Sequence, residues 1–182
     1  MFHRLLYGSG KVICLLSIMV VLLFAGSLST VAAADGTSNQ AQEDRKAINQ
    51  LMEQFYKGFS EKDAEMLDGL YTDDADWTNA FGHEETGNDA IIKYLRGLFA
   101  DSSFAAGKII SAPDITVLPI NEDAVMVKTF VKIKGQETIK GKVLPVRHTY
   151  SMKVLARQPD GTWLIKADMY MDARSEVTYQ QE

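Results

Sequence analysis

The sequence predicts an α+β domain: three helices gathered toward the N-terminus and packed on one face of a strongly curved antiparallel sheet. Three observations lead there. Apolar residues recur at helical spacing through the first half, from Ile48 to Phe99. After Gly107 they recur mostly at every second residue, the period of a half-buried strand. Between two such alternating runs stands Asp160-Gly161, a strong local signal for a tight hairpin.

The fold does not claim the whole 182-residue chain. His3, Arg4 and Lys11 make a basic start, residues 12–24 are apolar, and small residues end at Ala32-Ala33-Ala34. That order is the pattern of a secretory signal peptide over residues 1–34, too short for a comfortable membrane span. An uncleaved anchor is the alternative. Cleavage after Ala34 or Ala33 leaves about 148 residues, enough for one domain with its own core. The expected organisation is a polar, disordered leader over 35–42, the domain over 43–174 and a tail over 175–182. The protein is then secreted or periplasmic and free of the membrane.

Cys14, the one cysteine, leaves with the signal, so the mature chain has no disulfide, thiol nucleophile or cysteine metal ligand. Losing Arg4 and Lys11 takes the net charge from −5 to about −7. With no basic stripe to match a phosphate backbone, nucleic acid is excluded as a partner.

Taken in order, Ile48, Leu51, Met52, Phe55 and Phe59 form the stripe of the first helix, with Tyr56 beside it. Asp63 is a natural N-cap for a short second helix whose apolar face is Met66, Leu67 and Leu70. Tyr71 to Asp74 reads as a polar turn, and residues 75–81 as a strand with Trp77, Asn79 and Phe81 on one face. Thr86 and Asp89 have capping-box spacing before a third helix carrying Ile91, Ile92, Leu95, Leu98 and Phe99. Residues 108–118 form a strand kinked at Pro113. Residues 124–134 form another, with Val125, Val127, Val131 and Ile133 on one face and Lys128, Lys132 and Lys134 on the other. A polar loop over 135–144 leads to the closing hairpin.

That hairpin sets the inside of the fold. A two-residue turn at Asp160-Gly161 pairs Pro159 with Thr162, and so Val154 with Ala167, Met152 with Met169 and Tyr150 with Met171. Lys153 then faces Asp168 as a cross-strand charge pair. A three-residue loop closed by Gln158 and Thr162 would slip the strands by one residue and mix the faces. The more apolar set, Val146, His148, Tyr150, Met152 and Val154, is expected to look toward the helices. Arg147, Thr149, Ser151 and Lys153 are expected outside.

The helix pattern, the segment from Asp73 to Gly82, the helix entry at Gly87 and the closing Asp160-Gly161-Thr162-Trp163-Leu164-Ile165 carry a resemblance. Over roughly residues 43–174 the chain resembles the nuclear transport factor 2-like superfamily, and within it the SgcJ/EcaC and SnoaL-like group. The resemblance implies a cone-shaped fold and a homodimer through the outer face of the sheet. It covers isomerases, dehydratases and epoxide hydrolases as well as members that only bind ligands. Where this group often carries His or Asn in its last strand, this chain has Met169, Tyr170 and Met171, which makes the expected pocket more apolar.

The pocket is expected to be lined by Tyr56, Phe59, Trp77, Asn79, Tyr150, Met169 and Met171. His148 is the candidate acid–base residue, since imidazole exchanges protons near neutral pH; the alternative is a histidine held by hydrogen bonds at the rim or core. Asp76 and Asp168 are read as surface charges, which a bulge in either strand would reverse. His83-Glu84-Glu85 lacks metal-site spacing, so neither metal nor cofactor is expected. The expected function is binding of a small apolar or aromatic molecule. The alternatives are a cofactor-independent isomerase, dehydratase or hydrolase using His148, and a structural dimerisation module without a ligand.

Overall fold

The structure, a computed structural model, describes residues 39–173. The expected signal peptide and the tail lie outside the described residues. The sheet, the core and the candidate site all belong to one compact unit that begins at Lys46.

Helix α1 occupies residues 39–61. It starts earlier than expected: residues 39–42, assigned to a disordered leader, are helical. Gln40, Ala41, Gln42 and Glu43 are all good helix formers, so a helix already nucleated further on propagates back through them. Ile48, Leu51, Met52 and Phe55 are buried as the stripe requires. The expected second helix is only a 3-10 turn, Glu65–Leu67. Its N-cap is Ala64 and not the expected Asp63, whose carboxylate instead accepts from the Glu65 N–H at 3.0 Å in a local Asx turn.

Strand β1 is Tyr71–Thr78, so the expected turn at Tyr71 to Asp74 is already strand, and Asn79 and Phe81 lie beyond it. β2 is Glu84–Thr86. Helix α2, Asn88–Ala100, buries Ile91, Ile92, Leu95 and Phe99. Its N-cap is Gly87 and not Thr86, which belongs to β2. Gly87 has φ 85°, and a Cβ there would stand 2.6 Å from the Asp73 carbonyl oxygen, so a side chain is excluded twice over. A short helix α3, Ser102–Ala105, was not evident from periodicity. The expected kinked strand resolves into β3, Lys108–Ile109, and β4, Asp114–Asn121, broken around Pro113 and both pairing with the same side of β5, Ala124–Lys134. β6, Arg147–Arg157, and β7, Trp163–Ala173, complete the sheet.

The seven strands run in the order β2-β1-β7-β6-β5-β3, with β4 also on β5. The fold is α+β with a curved, open sheet. One expectation needs correction: the sheet is mixed, because β1 joins β7 in parallel while the other neighbours are antiparallel.

The hairpin holds the main surprise. Its loop is closed by Gln158 and Thr162, with the Gln158 N–H donating to the Thr162 carbonyl at 2.7 Å, and Arg157 pairs with Trp163. This is the three-residue alternative, with Gly161 at φ 87° where an αL residue is required. A bulge between Leu155 and Val154 then absorbs Lys166 and shifts the pairing by one. Beyond it, Val154 faces Ala167, Lys153 faces Asp168, Met152 faces Met169 and Tyr150 faces Met171. The expected register is present for these pairs, reached by a different turn and a compensating bulge.

The expected facing is reversed. Leu155, Trp163 and Ile165 are buried near the turn, and the same parity along β6 carries Lys153, Ser151 and Thr149 inward. Tyr150, Met152, Met169 and Met171 are exposed, and so is His148. The neighbour decides this. β5 turns Val125, Val127 and Val131 into the core, and those residues pair with Leu155, Lys153 and Thr149.

Candidate functional site

Between the inner face of the sheet and the helices of that unit lies a cavity of about 420 Å3. One wall is aromatic and apolar: Phe55 and Phe59 from α1, Trp77 from β1, Tyr94 and Leu98 from α2, and Phe104 from α3. The rings pack edge to face or tilted, Phe55 to Phe59 at 4.8 Å, Phe59 to Phe99 at 5.2 Å and Trp77 to Tyr94 at 5.2 Å between centroids. The opposite wall is polar where strand alternation turns Arg147, Thr149 and Ser151 of β6 inward beside Thr129 of β5 and Tyr170 of β7. Phe81 and Ile139, 66% and 93% exposed, mark the mouth.

Behind the polar wall sits a buried ion pair. Lys153 Nζ donates to Asp168 Oδ1 at 2.9 Å and to Ser151 Oγ at 2.8 Å, and both charged side chains are 0% exposed. Asp168 Oδ2 accepts from the Tyr71 hydroxyl at 3.1 Å and the Tyr170 hydroxyl at 3.0 Å. The ammonium also lies over the Phe55 ring at 4.2 Å and the Tyr170 ring at 4.8 Å. Ser151 Oγ shares a hydrogen bond of 2.7 Å with Thr129 Oγ1, which accepts from the Tyr56 hydroxyl at 2.5 Å. Each hydroxyl that the cavity wall draws from Tyr56, Thr129, Ser151 and Tyr170 is thereby tied to one charge pair.

Burial sets the ionisation of this network. It pushes the Asp168 carboxyl up, against the pull of Lys153 and the two phenols, and pushes the Lys153 ammonium down, against the pull of Asp168. The Tyr56 phenol is pushed up to about 12, chiefly by burial. Tyr71 and Tyr170 are raised further, by burial and then by the Asp168 carboxylate. The Trp77 indole N–H is buried with no hydrogen-bond partner among the described residues.

Of the residues expected to form the pocket, Tyr56, Phe59, Trp77 and Asn79 lie on the cavity wall. Asn79 Nδ2 donates to the Tyr94 hydroxyl at 3.2 Å, and its Oδ1 accepts from the Phe81 and His83 N–H groups, so the side chain organises the turn after β1. Tyr150 touches the cavity boundary, but its ring packs on the outer face against Phe130 at 4.7 Å. Met169 and Met171 are not on the wall; at 50% and 57% exposed they stand on the outer face. His148 is also on the outer face, its ring edge-on to Phe130 at 5.8 Å, and does not line the cavity. The reason is the reversed facing: an even-numbered β6 residue cannot share the inner face with Ser151 and Lys153.

Asp76 is exposed as expected, whereas Asp168 and Lys153, read as a surface pair, are the most deeply buried charges among the described residues. His83 Nε2 meets Glu85 Oε1 at 2.9 Å and its ring stacks on Tyr94 at 4.4 Å. Among the described residues, no three His, Cys, Asp or Glu side chains gather as a metal site would require. Sequence reasoning missed the inward polar ladder of Arg147, Thr149, Ser151 and Lys153. Its one legible trace was Leu155, an apolar residue of the same parity.

An open curved sheet wrapped on helices, with a cavity between them, is the nuclear transport factor 2-like fold. The sequence profile of the SnoaL-like domain matches residues 52–154, more than half the chain, and the protein belongs to that family. Solved structures agree on the fold. An uncharacterised protein with a cystatin-like fold from Caulobacter vibrioides superposes with a TM-score of 0.64 at 17% identity, covering 74% of this chain and 92% of that one. LinA gives a TM-score of 0.62 at 13% identity, over 79% of this chain and 97% of its own. A ketosteroid isomerase-like protein from Erwinia carotovora atroseptica gives 0.58 at 14% identity, over 71% and 95%. No curated protein matches the sequence.

Proposed function

We propose that this protein is an exported binding protein for a small apolar or aromatic molecule, held in the cavity between α1, α2 and the inner sheet face. One observation carries the reading: a cavity of about 420 Å3 walled on one side by aromatic rings and on the other by hydrogen-bonded hydroxyls. Ligand pockets run from about 300 to 1,000 Å3 and pair apolar walls with a few placed polar groups. The export signal belongs to the same proposal and rests on the sequence of residues 1–34.

Binding without turnover is favoured over catalysis of the kind the name ketosteroid isomerase-like suggests. A proton-transfer enzyme needs a base on the cavity wall. Among the described residues lining the cavity, the one carboxylate is Asp101, and there is no imidazole. Asp101 is engaged as the cap of α3, accepting from the Ser103 side chain and from the Ser103 and Phe104 N–H groups, which hold its pKa below the ordinary value. Asp168 lies behind Tyr170, tied to Lys153.

Two copies of the chain pack through the outer sheet face in this proposal. A cross-strand row there runs Glu84, Thr78, Met169, Met152, Lys128, acidic at one end, apolar in the middle and basic at the other. A two-fold axis along the strands between Met169 and Met152 would lay each Lys128 beside the acidic end of the other copy's row.

Gly97 supplies the test. It lies on the cavity wall, and a Cβ there would meet no atom within 4 Å. Gly97→Phe therefore fills space without a clash at the first atom. Nile red should bind the natural protein saturably and the variant at least ten-fold more weakly. Equal binding to both, or none to the natural protein, would remove the cavity as a ligand site.

A further inference from the structure

We propose that the ligand is a carboxylate: an aromatic or alicyclic acid whose ring lies against the aromatic wall and whose carboxylate sits on Arg147 at the mouth. This deepens the binding proposal and rests on it. Arg147 lies on the cavity wall with its side chain only 11% exposed. Its Nε donates to Asp172 Oδ1 at 3.2 Å and its Nη1 to Gln136 Oε1 at 2.6 Å. The Phe81 ring covers the guanidinium at 5.4 Å.

A guanidinium has five N–H donors in a planar fork, and carboxylates satisfy it best by a two-point contact. Asp172 accepts from Nε at 3.2 Å, and the proposed carboxylate is placed on the N–H groups of the terminal nitrogens. Packed between Gln136 and Phe81 and largely shielded from water, the fork is pre-organised, and charge-assisted hydrogen bonds gain strength there. Next inward on the same face of β6, the Thr149 hydroxyl is buried with no hydrogen-bond partner among the described residues, a second donor on the same wall.

The surrounding charges permit an anion. Asp101 is engaged by the α3 backbone and Ser103. Lys62, behind the lining residues Phe59 and Phe104, bonds the Phe59 carbonyl at 2.9 Å, lies over the Phe104 ring at 5.3 Å and has no carboxylate partner among the described residues. The other carboxylate facing Arg147, Asp172, accepts at Nε and not at the terminal nitrogens.

The probes are 2-naphthoate and 2-naphthamide, alike in shape and different in charge, titrated by calorimetry at pH 7. The natural protein should bind the acid at least ten-fold tighter than the amide. Arg147→Gln should abolish that preference, bringing the ratio of acid to amide affinity to about one. Arg147→Lys, which keeps charge and loses the fork, should retain only part of the preference. Equal affinities for acid and amide in the natural protein, or a preference that survives in Arg147→Gln, would overturn the proposal with the apolar cavity still standing. Nile red binding without either naphthyl compound has the same consequence, whereas failure of all three probes removes the cavity reading itself. Should Arg147→Gln fail to fold, the acid-to-amide ratios of the natural protein and Arg147→Lys decide the matter.

Discussion

The two faces of the β6–β7 hairpin differ in a way that composition alone does not suggest. Inside, Lys153 and Asp168 are fully buried; one residue along each strand, Met152 and Met169 face outward at 44% and 50% exposure. Burying a lone charge is costly, but the inner pair has each other, two phenols, a serine and an aromatic face around it. A fully satisfied polar network can occupy a core position, and strand parity is then set by the neighbours and not by local apolarity.

The largest effect should come from breaking the inner network. Asp168→Ala leaves Lys153 buried without a counter-charge and should cost roughly 3–5 kcal/mol, read by urea unfolding. Met169→Ala, on the outer face of the next residue, should cost under about 1 kcal/mol. Lys153→Met combined with Asp168→Leu should recover most of the loss, because removing both charges removes the uncompensated one. Equal costs for Asp168→Ala and Met169→Ala would erase the distinction between the faces.

Alkaline unfolding sharpens the same comparison. Tyr56, with its pKa raised to about 12, and the still higher Tyr71 and Tyr170 stay protonated in the folded chain after unfolded phenols ionise near pH 10. The native state then binds more protons, so stability is intact below pH 10 and falls as pH rises through the folded values. Each phenol contributes a slope of up to about 1.4 kcal/mol per pH unit across its window. Absorbance of tyrosinate should show these three ionising together with unfolding.

On the outer face, Met152→Glu with Met169→Glu should shift the proposed dimer to monomer in sedimentation or light scattering and leave the fold intact. Smallest is Gly97→Ala. With no atom within 4 Å of its Cβ, it should stabilise α2 by about 0.5–1 kcal/mol through helix propensity alone.

Much of the fold was legible because periodicity records it. The stripe from Ile48 to Phe55, the helix from Ile91 to Phe99 and the inward valines of β5 all lie where their spacing puts them. The hairpin shows what spacing cannot record. Pro159-Asp160-Gly161 forms a three-residue loop, and the bulge at Lys166 undoes the slip, so the pairing of Lys153 with Asp168 follows from two features that cancel. Facing was illegible for a related reason. The even set from His148 to Val154 is more apolar than the odd set from Thr149 to Lys153, and only the pairing of Lys153 with Val127 on β5 settles which goes inside. Four wall residues of the cavity survived that error, Tyr56, Phe59, Trp77 and Asn79, since none belongs to the hairpin. His148, Met169 and Met171 depended on it.

The inward polar face is tested most directly by cysteine reactivity at two adjacent residues. With Cys14 replaced by Ser, single variants Ser151→Cys and Met152→Cys would each be exposed to a bulky fluorescein maleimide under native conditions. Ser151 is 3% exposed and Met152 is 44% exposed, so the Met152→Cys variant should label promptly and the Ser151→Cys variant only on unfolding. Prompt labelling of Ser151→Cys with protection of Met152→Cys would contradict the account.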